Sequence, residues 1–268
     1  MFHNIRNGCV QLPDGTMDYV SFGTGEKALI LLPGLSDGLA TVKGKAVLLA
    51  APYRPFFHNW TVYMFSRRND LPEGWSIGNM AADQVQAMEA LGIEKACLCG
   101  VSQGGMIAQR LVLDHPEKVE KLVLAVTAPC VNEMTRNCVE EWMRMAKAGD
   151  HKSLMIDTAE KSYSEEKLKS YRKFYPLISK AGRPKSYDRF LINARAILAF
   201  DASQELGRIH CPTLILGGEE DQIVGAQASR ELHEKIAGSR LILYPGLGHA
   251  AYEEATDFNR TMQEFLES

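Results

Sequence analysis

The sequence has no uninterrupted apolar stretch of about 18 residues, so it offers no transmembrane helix. Its opening residues, MFHNIRNGCVQLPDG, contain no apolar core of the length a secretory leader needs. The simplest expectation is a cytoplasmic protein with no membrane partner. Neither sign of charge dominates. The formal net charge of −3 gives no reason to expect a nucleic-acid partner. No CxxC pair occurs among the six cysteines (Cys9, Cys97, Cys99, Cys130, Cys138 and Cys211), and metal-ligand spacing is absent. Cys97 and Cys99 lie two apart in a strand-like run, on one face, and are not expected to bond to each other. All six are read as reduced, mostly small buried residues. Internal repeats and low-complexity stretches are also missing.

What the chain does have is an ordinary globular composition, 46% hydrophobic and 24% charged over 268 residues. That length suits one large α/β domain, or one domain carrying a sizeable insertion. Short apolar runs alternate with helical patterns. MDYVSF (17–22) alternates weakly and reads as an early strand. ALILL (28–32) is continuous and stops at Pro33-Gly34, as a buried strand entering a sharp loop would. TVYMF (61–65), KACLCG (95–100) and KLVLAV (121–126) are further strands. Between them, 80–93 and 104–116 carry helical spacing, the first ending at Gly92 and the second at Pro116.

From 130 to 200 no buried-strand run appears, and the segment reads as several helices. The alternation resumes with CPTLILGGEED (211–221), a helix over 226–236, the strand RLILY (240–244), the loop PGLGHA and a last helix. Continuous apolar strands alternating with helices argue for a mostly parallel sheet covered on both faces. The helical block then sits as a cap over the carboxyl ends of the strands, where ligands bind in such sheets.

The stretch that bears chemistry is GVSQGG (100–105), directly after a buried strand and opening a helix. A strand-turn-helix this tight requires small residues two before and two after the serine, strains its backbone and stands its Oγ above the sheet. The plain alternative is a serine N-cap in a Gly-rich turn. Serine is a weak nucleophile without a base. Of seven histidines, His249 stands in a Gly-rich loop just after a buried strand, on the same rim as Ser102. His3 is terminal, His58 precedes a strand, His115 and His210 stand near prolines, and His151 and His233 sit in polar helical segments. For an acid, GGEEDQIV supplies Asp221, followed by Ile223-Val224, which could bury part of that loop. Glu219 and Glu220 are the alternatives. The order Ser, acid, His agrees with the nucleophile-elbow hydrolases. The oxyanion donors such a site needs would be the backbone N–H of Gln103 and that of Leu35, in the loop 32–38.

With these residues quoted, the chain resembles the α/β-hydrolase superfamily, and looks like its capped serine esterase and lactonase branch. The matching stretches are LLPG (31–34), GVSQGG, HPEKVEKLVL (115–124), PTLILGGEED (212–221) and PGLGHA (245–250). The resemblance implies an eight-stranded mostly parallel sheet with helices on both faces and an inserted helical cap. The core is then 1–128 and 207–268, the cap 129–206. It further implies a Ser102–His249–Asp221 triad with no metal and no cofactor. Three stretches depart from the pattern: Pro33-Gly34 where His-Gly is common, Ser66-Arg67-Arg68-Asn69-Asp70 without glycine, and an apolar, proline-bearing segment over 43–59. The first two shape the pocket, so they bear on substrate more than on chemistry.

The expected reaction is hydrolysis of a small carboxylic ester or lactone through an acyl-enzyme. Carbon–carbon bond hydrolysis, thioester hydrolysis and cofactor-free perhydrolysis use the same triad. A ligand-binding or signalling protein on this fold is the alternative of another class. Cap residues such as Met143, Met145, Met155, Tyr163, Tyr171, Phe174, Tyr175, Tyr187, Phe190 and Phe200 read mostly as cap core. The basic run Lys161, Lys167, Lys169, Arg172, Lys173, Lys180, Arg183, Lys185, Arg189 reads as a solvated helical face. A homodimer is left open by the sequence.

Overall fold

The computed structural model describes residues 4–178 and 182–268. His3 and Lys180, both considered above, lie outside the described residues. Eight strands form one sheet in the order β1-β2-β4-β3-β5-β6-β7-β8. They are β1 (Arg6–Leu12), β2 (Gly15–Gly23), β3 (Lys27–Leu32), β4 (Trp60–Arg68), β5 (Ala96–Val101), β6 (Val119–Ala125), β7 (Thr213–Gly218) and β8 (Arg240–Tyr244). β1 pairs antiparallel with β2, and β2 antiparallel with β4. The other pairings are all parallel. The central strands β3, β5, β6 and β7 carry continuous buried runs without polar alternation, as strands covered by helices on both sides do.

The strand β1 was not anticipated. Its sequence RNGCVQL buries only Val10 and Leu12 fully, as an edge strand with one wet face does. The Pro13-Asp14-Gly15 turn that joins it to β2 is a turn signal in its own right.

The helices are α1 (Ala46–Ala50), α2 (Ile77–Ala90), α3 (Gln103–Asp114), α4 (Glu133–Lys147), α5 (His151–Ser162), α6 (Glu165–Tyr171), α7 (Tyr175–Ile178), α8 (Asp188–Leu198), α9 (Ala226–Lys235), α10 (Ala251–Glu254) and α11 (Phe258–Glu267). One core lies between the sheet and α2, α3 and α9, and continues into α4 and α8. The other lies beneath α1 and α11. The proline-bearing segment 43–59 is α1 followed by a 3-10 turn, and Ala46, Ala50, Phe56 and Phe57 bury against the second face.

Among the described residues five helices, α4 to α8, run between β6 and β7, and side-chain caps explain where three of them start. Asn132 Oδ1 accepts from Thr135 N, Asp150 Oδ1 from Ser153 N, and Ser164 Oγ from Lys167 N. Met143, Met145, Phe190 and Phe200 are buried as expected of core residues, but Phe174 is 56% exposed. His151, read as part of a polar segment, is buried instead, in ring contact with Tyr187. Within the basic run, Lys161 pairs with Asp157, and Arg172 with Glu160 and Glu165. Arg189 does not follow the solvated reading. It turns inward onto Asp37, against the core. All six cysteines are free, and Cys97, Cys99 and Cys138 are buried. Among the described residues no helix is long and apolar enough to cross a membrane.

Candidate active site

Ser102 sits between the end of β5 and the first turn of α3 with φ +53° and ψ −118°. A serine held there carries strain of about 1–3 kcal/mol, which the surroundings must overcome. Backbone contacts do so: Ser102 N donates to Ala125 O at 2.9 Å, and Thr127 Oγ1 donates to Ser102 O at 2.7 Å. The glycines on either side are a packing requirement. A Cβ at Gly100 would come within 2.4 Å of Gly104 O, and one at Gly104 within 1.9 Å of Leu32 O. Although Ser102 precedes the helix, its side chain makes no cap hydrogen bond. The N-cap alternative therefore does not describe it.

The hydroxyl is engaged elsewhere. His249 Nε2 lies 2.9 Å from Ser102 Oγ, and His249 Nδ1 lies 2.8 Å from Asp221 Oδ2. Of the candidate acids, the structure brings Asp221 to the histidine and leaves Glu219 and Glu220 exposed. Asp221 Oδ1 accepts from the N–H groups of Ile223 and Val224 at 2.8 and 3.0 Å, so the apolar pair that follows closes the loop around the carboxylate. Burial pushes the Asp221 carboxyl up, but the His249 charge and hydrogen bond, with the two N–H donors, outweigh it. The net position is below the ordinary carboxylate value. Ionised Asp221 can only accept, so the proton of neutral His249 sits on Nδ1 and Nε2 is free to accept from Ser102.

A depressed carboxyl pKa has a stability consequence. Asp221 contributes stability that is fully present above its unfolded pKa and lost as pH falls through its folded pKa. The urea midpoint of the wild type is therefore expected to drop between about pH 5 and about pH 3 by more than that of Asp221→Asn. Equal drops would remove Asp221 from the acid-sensitive groups.

The loops that carry the acid and the base are tied to each other. Glu219 N donates to Tyr244 O and Glu220 N to Leu247 O, at 3.0 and 2.9 Å. Ala250 N donates to Ser162 O at 2.8 Å, so the end of α5 holds the loop just past His249. Leu35 and Gln103 stand on the same rim, and both are buried. Neither backbone N–H is taken by another backbone group among the described residues.

The family model of the alpha/beta hydrolase fold matches residues 27–256. The chain belongs to the alpha/beta hydrolase fold family. It is accordingly a hydrolase by class, and the matched span contains the whole Ser102–His249–Asp221 chain. One relative, "Putative carbamate hydrolase RutD" of Klebsiella pneumoniae, is 29% identical over 251 residues, covering 90% of this chain and 92% of its own. Among solved structures, the alpha/beta hydrolase MGS-M2 from a Medee basin deep-sea metagenome library superposes with a TM-score of 0.83. It is 20% identical and covers 97% of this chain and 98% of its own. The enol-lactonase from Burkholderia xenovorans LB400 superposes with a TM-score of 0.80 at 21% identity, covering 97% and 100%. At those identities the superpositions speak for the fold.

Beside this rim lies a buried polar group that the sequence pattern does not mark. Arg67, at the end of β4, is 1% exposed, and its Nη2 donates to Pro33 O and to Gln103 Oε1. Asp37 Oδ2 accepts from Arg67 N and from Arg189 Nη2. The one signal available was that the strand TVYMF continues into two arginines where a glycine-bearing loop is common. Nothing in that pattern tells a buried arginine from a solvated one.

Proposed function

We propose that this hydrolase is a serine enzyme that cleaves a small carboxylic ester or lactone through an acyl-enzyme. The reading rests on one observation above all: Ser102, His249 and an ionised Asp221 share an unbroken hydrogen-bond chain at 2.9 and 2.8 Å. In the reaction His249 Nε2 takes the Ser102 proton as Oγ attacks the carbonyl carbon. The resulting oxyanion is held by the N–H groups of Leu35 and Gln103, the latter opening α3, whose N-terminal dipole adds to the effect. The tetrahedral species collapses, the ester C–O bond breaks, and His249 returns the proton to the leaving alcohol. Water, deprotonated by His249, attacks the acyl group and releases the acid and Ser102. Asp221 keeps the imidazole in the working tautomer and stabilises the imidazolium.

In this reading α4 to α8 form the cap and the described residues of 129–206 shape the acyl pocket. The substrate is a small molecule that enters between cap and sheet. A second substrate class, carbamates, is favoured by one finding: the relative matched over 90% of this chain bears the name carbamate hydrolase. A carbamate presents the same carbonyl to the same nucleophile, with nitrogen on the acyl side. The test is a panel of p-nitrophenyl esters with acyl chains of two to about twelve carbons, set beside p-nitrophenyl carbamates and lactones. Turnover on short or medium esters or on lactones supports the ester reading. Turnover confined to carbamates moves the assignment to that class, and turnover on none of them defeats it.

A further inference from the structure

We propose that Arg67 is a positioning residue that holds both oxyanion donors, the Leu35 loop and Gln103, in one register. The inference rests on the acyl-transfer reading above. Arg67 Nη2 donates to Pro33 O at 2.6 Å and to Gln103 Oε1 at 2.9 Å, and lies 3.5 Å from Gly34 O. The Gly34 carbonyl belongs to the same peptide unit as the Leu35 N–H. Gly34 O also accepts from Asp37 N at 3.2 Å, and because that unit is planar the two donors at its carbonyl end together set where its N–H end points. Bonding to a cation at the carbonyl also polarises the unit and strengthens the N–H as a donor. The same nitrogen reaches the side chain of Gln103, whose own N–H is the second donor.

The rest of the clamp has fixed polarity. An arginine only donates, so Gln103 Oε1 must face it, and Gln103 Nε2 donates to Asn193 O of α8 at 3.0 Å. The far end of the loop is held by Asp37, whose Oδ2 accepts from Arg67 N at 3.0 Å and from Arg189 Nη2 at 2.7 Å. Arg189 belongs to α8, so a helix from the block between β6 and β7 grips the same loop.

Stability alone does not account for Arg67. Among the described residues no carboxylate forms an ion pair with its guanidinium; Asp37 pairs with Arg189 instead. Burial lowers the Arg67 pKa to about 10, with Asp37 opposing and Arg189 adding to the effect, so the group stays charged at neutral pH. A buried cation bonded only to neutral oxygens is costly. Its three acceptor contacts all lie on the segments that carry the two oxyanion donors.

The test uses p-nitrophenyl acetate as substrate, 1-butaneboronic acid as a tetrahedral mimic and acetate as a ground-state ligand. Ser102 Oγ adds to boron, its proton passes to His249, and the boronate oxygen occupies the oxyanion position. Arg67→Met is expected to lower kcat about 10²-fold with KM within about threefold, as loss of one aligned oxyanion donor does. Boronate binding should weaken by the same factor while acetate inhibition stays put, and Arg67→Lys should recover part of both. Gln103→Met removes the neutral end of the clamp together with its bond to Asn193 O, and tests the same arm if Arg67→Met does not fold. Variants that keep wild-type kcat and boronate affinity, or that lose acetate and boronate affinity alike, overturn the proposal. A wild type that turns over no ester and binds no boronate overturns the acyl-transfer reading, and this proposal with it.

Discussion

Ser102→Ala is expected to lower kcat by on the order of 10⁴-fold or more and to leave the folded protein close to wild type in stability. A 10⁴-fold loss corresponds to about 5.5 kcal/mol of transition-state stabilisation. In the proposed mechanism Ser102 is the nucleophile and alanine cannot take its place. Rate above that of water would persist through the proposed oxyanion donors. The stability expectation follows from the local structure. Ser102 makes no side-chain cap bond, so alanine removes only the Oγ contact with His249. The positive φ is equally awkward for both residues, and the bonds to Ala125 O and from Thr127 Oγ1 use backbone atoms that survive. His249→Ala should cost about as much as Ser102→Ala, and the double variant hardly more, since residues that act as a unit are not additive. Steady-state kinetics with a thermal melt checks both halves. A variant that retains more than about a tenth of wild-type kcat would take the nucleophile away from Ser102.

Gly104→Ala is expected to damage stability and activity together. The added Cβ would lie 1.9 Å from Leu32 O, 2.5 Å from Leu32 C and 2.7 Å from Pro33 O. These are backbone atoms at the end of β3, which a rotamer change cannot move. Relief therefore requires α3 to shift away from β3, or the Pro33–Leu35 loop to shift with its donor. Overpacking of a tight core costs about 1–3 kcal/mol and occasionally more, and contact with main chain belongs at the upper end. For a chain of this length each kcal/mol lowers Tm by about 2–4 °C, so a drop of about 6–12 °C is expected. A displacement of about 1 Å at the oxyanion loop should cost about 10²-fold in kcat. Gly207→Ala is the control, because a Cβ there meets nothing within 4 Å, and it should be neutral in both assays. A neutral Gly104→Ala would show that the elbow is looser than its contacts require.

The parts legible in the sequence were those written in continuous apolar runs or in glycine spacing. ALILL, KACLCG, KLVLAV, TLIL and RLILY became β3, β5, β6, β7 and β8, because strands buried on both faces leave no room for polar alternation. The run from Gly100 to Gly104 carried the turn, because its packing admits no Cβ at either end. Asp221 stood out from its acidic neighbours through Ile223 and Val224, whose N–H groups it now holds. The strand β1 was missed because half of it faces solvent and its seven residues read as polar.

The inward turn of Arg189 and the burial of Arg67 and His151 were missed for another reason. Whether a charged or polar side chain is buried depends on which carbonyls the distant chain brings to it. Arg189 meets Asp37 across 152 residues, and Arg67 meets Pro33 across 34. No local pattern encodes those separations.

In the proposed mechanism Ser102 carries the acyl group. The most direct measurement is intact-mass and peptide mass spectrometry after mixing the enzyme with p-nitrophenyl acetate and quenching in acid within the burst. An added acetyl group of about 42 Da is expected. It should map to the peptide containing Ser102, be absent in Ser102→Ala, and accumulate in His249→Ala only far more slowly. An acetyl group on another residue, or turnover with no covalent species in a wild type that hydrolyses the ester, would contradict it.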